Sequence, residues 1–193
     1  GLGDVYKRQE DVYAVIYLAA VIPSYMEEYN PESYIKTNIV GTYHVLEYCR
    51  RVHADRILFS TTVFDISLFA TDGTVLKPDL PYNFSYKGDH AVYVITKNTA
   101  IELLEHYHQE YGLKKFVFRF PTIYSYSPYH YYFPNGKKTL RPVYRMIELA
   151  MKGEPIELWG NPDYSKDMVH VYDCAQMLCE AVEADREEGF YNV

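Results

Sequence analysis

Three kinds of side chain, in one order along this chain, could take a proton from an alcohol: the hydroxyls of Ser60, Thr61 and Thr62 at the end of an apolar run, the phenol of Tyr93, and the amine of Lys97. A spacing of four puts Tyr93 and Lys97 on one helix face. A free tyrosine has a pKa of ~10, so bringing it to ~7 requires about 4 kcal/mol of phenolate stabilisation, for which a neighbouring ammonium has the right sign. Such a phenolate can act as general base on a hydroxyl while hydride leaves the same carbon. Spacing alone is weak. With 22 tyrosines in the chain, about one such pair is expected by chance, and Tyr111 with Lys115 is a second. That pair straddles Gly112 and the helix end, so it does not share a face. What distinguishes Tyr93 from a half-buried tyrosine of an amphipathic helix is its place after a hydroxyl-ended strand and a long loop.

The elements that must position these groups read as alternating strands and helices. Tyr13 to Ala20, YAVIYLAA, is a short continuous apolar run, as expected of a strand buried on both faces. A helix is predicted from Pro31 or Glu32 to Val52, with Asn30 as its N-cap and Pro31 in the first turn. Arg56 to Ser60 is the next buried strand, and residues 65 to 90, with Asp, Gly, Pro and Asn at short intervals, form a long excursion in which Asp65 and Asp89 face solvent. Ala91 to Tyr111 is a helix stopped by Gly112, followed by a strand from Lys115 to Phe120. This alternation predicts an α/β fold, a doubly wound parallel sheet with right-handed crossovers and ligands at the carboxyl ends of its strands. Those ends are Ala19-Ala20, Ser60 to Thr62, and Phe120 to Thr122.

Past Tyr124 the pattern loosens into an aromatic loop, a helix from Arg141 to Lys152, a strand at Ile156 to Trp159, a helix from Tyr172 to Ala184, and a cut-short strand at FYNV. The organisation predicted is a partial dinucleotide-type domain over 10–124 and a smaller, truncated substrate lobe over 125–193. The tyrosines from Tyr124 to Tyr132 are either a pocket wall or interface aromatics with one wet end. Residues 1–9 match nothing that follows and are expected to be a non-native leader before a fragment.

Composition narrows the classes. A formal charge of −7 with scattered Lys and Arg argues against nucleic acid as a partner. The three cysteines lie in apolar-periodic segments without CxxC spacing, as expected of reduced thiols and no metal site. His106 and His108 point to different helix faces, and His170 reads as a satisfied structural histidine. No apolar run approaches the ~20 residues of a membrane span. The default address is cytoplasmic.

Taken in order, YLAA (17–20), TNIVGT (37–42), FSTT (59–62), Tyr93 with Lys97, RFPT (119–122) and GNPDYSKDMVHVYD (160–173) resemble the extended short-chain dehydrogenase/reductases, in particular their NAD-dependent sugar-nucleotide epimerase/dehydratase branch of the UDP-glucose 4-epimerase type. The resemblance covers nearly everything from Asp11 to Val193. It implies a Rossmann-like sheet, NAD with NADP not excluded, a nucleotide-sugar substrate and a possible homodimer. It implies cofactor contacts at Leu18, Ala19, Ala20, Val21, Ile22, Asn38, Ser60, Tyr93, Lys97, Phe120, Pro121 and Thr122. The catalytic set it implies is Thr61, Tyr93 and Lys97, with Thr62 as the alternative hydroxyl in another register. Substrate contacts fall at Thr61, Thr62, Thr122 and Lys166.

The departures from that pattern carry expectations too. No Gly-rich phosphate loop follows a strand here, since GLG at 1–3 has none before it, so the first βαβ unit is missing and this chain alone should bind dinucleotide poorly. Thr122 stands for the usual Asn and Lys166 for an Arg, which loses a bidentate fork. Thr62 and Val63 occupy the places where dehydratases carry an Asp-Glu pair, which favours epimerisation or simple redox over water elimination. The rival reading from another class is a non-catalytic dinucleotide sensor or scaffold of the same fold.

Overall fold

The computed structural model describes residues 12–23, 29–70, 74–125, 129–133, 137–158 and 167–193, the side chain of Asp89 excepted. The first strand, β1 (Ala14–Tyr17), is shorter than its apolar run. Asn30 then caps α1 (Pro31–Tyr34), its side-chain oxygen accepting from the Glu32 and Ser33 amides. The helix continues through a π-helical stretch, Ile35–Val40, into α2 (Gly41–Arg51) without leaving helical backbone angles. Strand β2 (Arg56–Thr62) leads into a 3₁₀ segment, Val63–Phe69, and the described residues of the excursion that follows have no further regular structure before α3 (Asp89–Tyr111). Gly112 ends α3 in the left-handed region at φ 68°, where a side chain would be strained. Strand β3 (Lys114–Phe120) follows.

The four-stranded sheet has the order β1-β2-β3-β8, all parallel, with β8 formed by Glu188–Asn192. Alternation along each strand splits the core into two layers. Ile57, Phe59 and Val117 pack under Leu46 and Cys49 of α2 and under Ala100, Leu104 and Tyr107 of α3. Leu58, Phe116, Phe118 and Phe120 face the other way, onto Cys174, Leu178 and Ala181 of α5 (Val171–Glu183). Helices on both faces of a parallel sheet are the doubly wound arrangement expected. Truncating fully buried Leu104 to alanine would cost about 2–5 kcal/mol. Arg56 fixes α5 to the sheet by donating through Nη1 to the carbonyls of Ala181 and Ala184.

The C-terminal part is thinner. Strand β4 (Thr122–Tyr124) pairs in parallel with β7 (Met168–His170), and β5 (Tyr131–Tyr132) pairs antiparallel with β6 (Thr139–Leu140). Helix α4 (Pro142–Lys152) buries none of its residues. The strand expected at 156–159 does not form: Ile156 to Leu158 have no ladder partner, and Trp159 lies outside the described residues. An apolar run forms a strand when a neighbour completes its backbone hydrogen bonds, and here none does. Also outside are the presumed leader 1–9 and Lys166. Among the described residues no helix is long and apolar enough to cross a membrane.

Candidate active site

The carboxyl ends of β1, β2 and β3 gather the residues singled out above. Beyond β1, Leu18 and Ala19 are exposed, and Ala20, Val21 and Ile22 are half-buried. At the end of β3, Phe120 is buried and Pro121 and Thr122 are half-buried. At the end of β2, Ser60 is half-buried while Thr61 and Thr62 are buried. The sheet end is therefore lined by partly accessible backbone over a polar floor.

Asn38, in the middle of the π-helical stretch, is the joint between β1 and α3. Its Oδ1 accepts from the Val21 amide at 2.8 Å, and its Nδ2 donates to the Val21 carbonyl at 3.1 Å and to Thr96 Oγ1 at 3.0 Å. Thr96 in turn donates to the Tyr93 carbonyl at 2.8 Å. The Asn38 amide is thus fully engaged by the chain and only 2% exposed. Its geometry suits holding the β1 end and the Tyr93 turn at one spacing better than touching a ligand itself. No feature of IKTNIV announces the π geometry, which recurs at functional sites.

Tyr93 and Lys97 share a face of α3, as the spacing requires, but burial governs both. Burial pushes the Tyr93 phenol up to about 12, fully buried Tyr34 adds to the rise, and a hydrogen bond with the Thr62 hydroxyl works against it. Burial alone pulls Lys97 down to about 7. Its Nζ sits 3.9 Å from the centre of the Phe59 ring, a cation–π contact, and among the described residues no carboxylate faces it. The expected depression of the Tyr93 pKa by Lys97 is therefore absent in this state, because the ammonium is directed at the Phe59 ring.

The two candidate hydroxyls have different partners. Thr62 is the hydroxyl that works against the rise of the Tyr93 phenol, and it also caps the 3₁₀ segment, accepting from the Phe64 amide at 3.3 Å. Thr61 falls on the Ile57–Phe59 row of β2 by alternation, and among the described residues its buried Oγ1 has no hydrogen-bond partner. Of the two hydroxyls, Thr62 is the one that acts on the phenol. A buried hydroxyl left unpaired costs about 1–3 kcal/mol, so Thr61 and Lys97 are two polar groups whose needs a bound ligand can meet.

Two further expectations are corrected or refined. Asp65 does not face solvent: it is 0% exposed and pairs with Arg119, a partner 54 positions away that local composition cannot indicate. His170 is satisfied, but as a cap: Nδ1 accepts from the Tyr172 amide at the start of α5, and its ring lies 5.1 Å from those of Tyr124 and Tyr172. Tyr129 and Tyr131 are exposed.

Comparison with known proteins shows the family and the fold. The model of the "NAD dependent epimerase/dehydratase family" matches residues 3–193. The chain is 28% identical over 207 positions to a dTDP-glucose 4,6-dehydratase of Salmonella typhimurium, covering 93% of this chain and 51% of that protein. It is 27% identical over 165 positions to a UDP-glucuronate 4-epimerase of Thermodesulfobacterium geofontis, covering 86% and 46%. The chain thus spans about half the length of the curated relatives it matches. Among solved structures, a Thermus thermophilus UDP-glucose 4-epimerase in complex with NAD superposes with a TM-score of 0.72 at 23% identity, covering 94% of this chain and 56% of that one. That likeness shows the shared fold.

Proposed function

The chain belongs to the NAD-dependent epimerase/dehydratase family, and from that premise we propose that the protein carrying it is a sugar-nucleotide epimerase whose proton-transfer group is Tyr93. The observation that carries the reading is half-buried Tyr93 with buried Thr61, Thr62 and Lys97 towards the sheet's carboxyl edge, where doubly wound folds bind ligands. The residues present fit NAD: Lys97 offers an ammonium that faces no carboxylate among the described residues to ribose hydroxyls, and Leu18 to Ile22 with Pro121 and Thr122 are partly accessible beside it. Bound there, NAD accepts a hydride from a sugar carbon and can return it.

The protein's own part is to move the proton and hold the sugar. Tyr93 takes the hydroxyl proton, and Thr62, which already works against the rise of the phenol's pKa, supports the phenolate. Ionising a phenol at about 12 costs about 1.4 kcal/mol for each pH unit below that value. Ligand binding that turns Lys97 from Phe59 towards the phenol offsets that cost, and Thr61 then pairs with a sugar or ribose hydroxyl. Lys97 at about 7 gains and loses its own proton near neutrality at little cost.

Epimerisation is favoured over dehydration because water elimination needs a free acid and base beside the phenol. Thr62 and Val63 supply neither, and the nearest carboxylate along that stretch, Asp65, is buried and held by Arg119. Product analysis with UDP-glucose, UDP-glucuronate and dTDP-glucose tests this. An epimerised sugar with no net change in the cofactor supports the proposal, and a 4-keto-6-deoxy product overturns it. Tight NADH binding with no turnover of any of the three would instead favour the sensor reading, which the raised Tyr93 pKa suits.

A further inference from the structure

Arg119 and Asp65 form an ion pair at the carboxyl end of the sheet that the proposed reaction does not use; Arg119 is 1% exposed and Asp65 0%. Arg119 donates through Nε and Nη2 to Asp65 Oδ2 at 3.1 and 2.9 Å, and through Nη1 to Asn192 Oδ1 at 2.8 Å and to the Pro78 carbonyl at 3.2 Å. Its guanidinium lies 4.5 Å from the centre of the Phe190 ring. Asn192 passes the connection on, donating through Nδ2 to the Leu76 carbonyl at 2.6 Å. The backbone of Asp65 accepts from the Asn83 amide at 2.7 Å, and the Asn83 carbonyl accepts from the Leu68 amide at 3.0 Å. The excursion between β2 and α3 is thus tied to the sheet at Leu76 and Pro78 and to its own 3₁₀ segment at Asn83.

Stability is a weak reason for such a pair, because desolvating two charges costs about as much as their attraction returns. Geometry is a stronger one. Asp65 lies in the 3₁₀ segment that Thr62 caps. The chain leaving Asn83 runs through Phe84 and Lys87 into α3, where Phe64 meets His90 with ring centres 4.8 Å apart. Thr62 and the start of α3 therefore both lead back to the same buried node.

We infer that Asp65, Arg119 and Asn192 are positioning residues, holding the 76–83 stretch against the sheet so that Thr62 and the first turns of α3 keep the spacing that Tyr93 needs. The inference rests on the proposed reaction for its kinetic readout alone.

Asn192→Asp is the probe: a carboxylate still accepts from Arg119 but cannot donate to the Leu76 carbonyl, so charge pairing stays and the tether goes. In the protein carrying this chain, with UDP-glucose or UDP-glucuronate as substrate, kcat should fall about tenfold while KM and the thermal midpoint hold. Amide exchange read by mass spectrometry should quicken over 76–85 and 88–94 and stay unchanged in β2 and β3. Should Asn192→Asp fold poorly, Asn192→Ser drops both bonds without adding charge and carries the same expectations. Unchanged kcat with unchanged exchange at 88–94 would overturn the inference. So would exchange quickened across the whole sheet with a lowered midpoint, the signature of a merely structural role. If the wild type turns over neither sugar, the proposed reaction fails, and the exchange pattern alone decides the tether.

Discussion

The two ends of α3 solve opposite problems with the same residue types. Near its C-terminus the charged groups are paired, with the buried Tyr107 ring reaching one of them through its hydroxyl. Tyr107 donates to Glu47 at 2.6 Å, Arg50 grips the same carboxylate, and together they hold Glu47 down at about 2. Lys115 bridges Glu105 and Glu188, and His108 Nδ1 lies 3.0 Å from the Leu113 carbonyl. Near its N-terminus Thr96, Lys97 and Asn98 are buried with Tyr93 beside them, and desolvation sets the pKa values: the phenol goes up to about 12 and the amine down to about 7. Pairing stabilises a charged form and burial penalises it. Groups left on the penalised side, in a crevice, are where chemistry is to be sought.

The largest effect expected from breaking this contrast is on turnover. Tyr93→Phe in the protein carrying this chain should lower kcat by about a thousandfold, with NAD affinity nearly intact by fluorescence titration; wild-type turnover would remove Tyr93 as the proton-transfer group.

Lys97→Met comes next, read by urea unfolding. The native pKa of about 7 lies below the ordinary 10.5, so the unfolded chain binds more protons between those values and wild-type stability should rise with pH across that window. The methionine variant lacks that rise. At pH 7 it should be more stable than wild type, on the order of 3 kcal/mol, and the two should converge towards pH 10. Equal slopes in the two proteins would mean the amine is not desolvated.

Smaller shifts separate the two threonines. Thr61→Val replaces an orphaned hydroxyl with a methyl group of similar size and should stabilise the ligand-free protein by about 1 kcal/mol while weakening ligand binding. Thr62→Val removes the hydroxyl that lowers the Tyr93 phenol and should move the ascending, low-pH limb of the rate profile to higher pH. A result with the roles exchanged would return catalysis to the Thr61 register.

The smallest effect belongs to the surface end. Glu47 is depressed from 4.5 to about 2, so its contribution is present above the unfolded value and is lost as pH falls through that interval. Glu47→Gln should flatten the acid limb of the stability curve between pH 4.5 and 2 and lower stability by a small, constant amount above it, the two proteins converging at the acid end. A change at pH 7 as large as that of Lys97→Met would erase the distinction between the two ends.

Much of this architecture is written locally. Asn30, Pro31 and Gly112 each punctuate a helix through their own backbone chemistry, and the apolar runs at 56–60 and 115–120 can only be buried strands. What the sequence did not disclose depends on distant partners. Asp65 looks like a loop carboxylate until Arg119 meets it, and Ile156 to Leu158 look like a strand until no neighbour pairs with them. The choice between Thr61 and Thr62 turns on a register shift of one residue, which no periodicity resolves. The direction of the Lys97 amine towards Phe59 is a matter of packing, invisible to i,i+4 spacing.

The π-helical stretch has a consequence for how this chain can vary. A wide turn accommodates one residue more than an α-turn, so loss of a single residue within 35–40 would leave a regular helix whose flanks still present Tyr34, Leu46 and Cys49 to the core. A deletion inside a helix is ordinarily ruinous. Here it would leave a soundly folded protein with Asn38 swung off Val21 and Thr96, which makes this the place where the molecule could most easily trade catalysis for robustness.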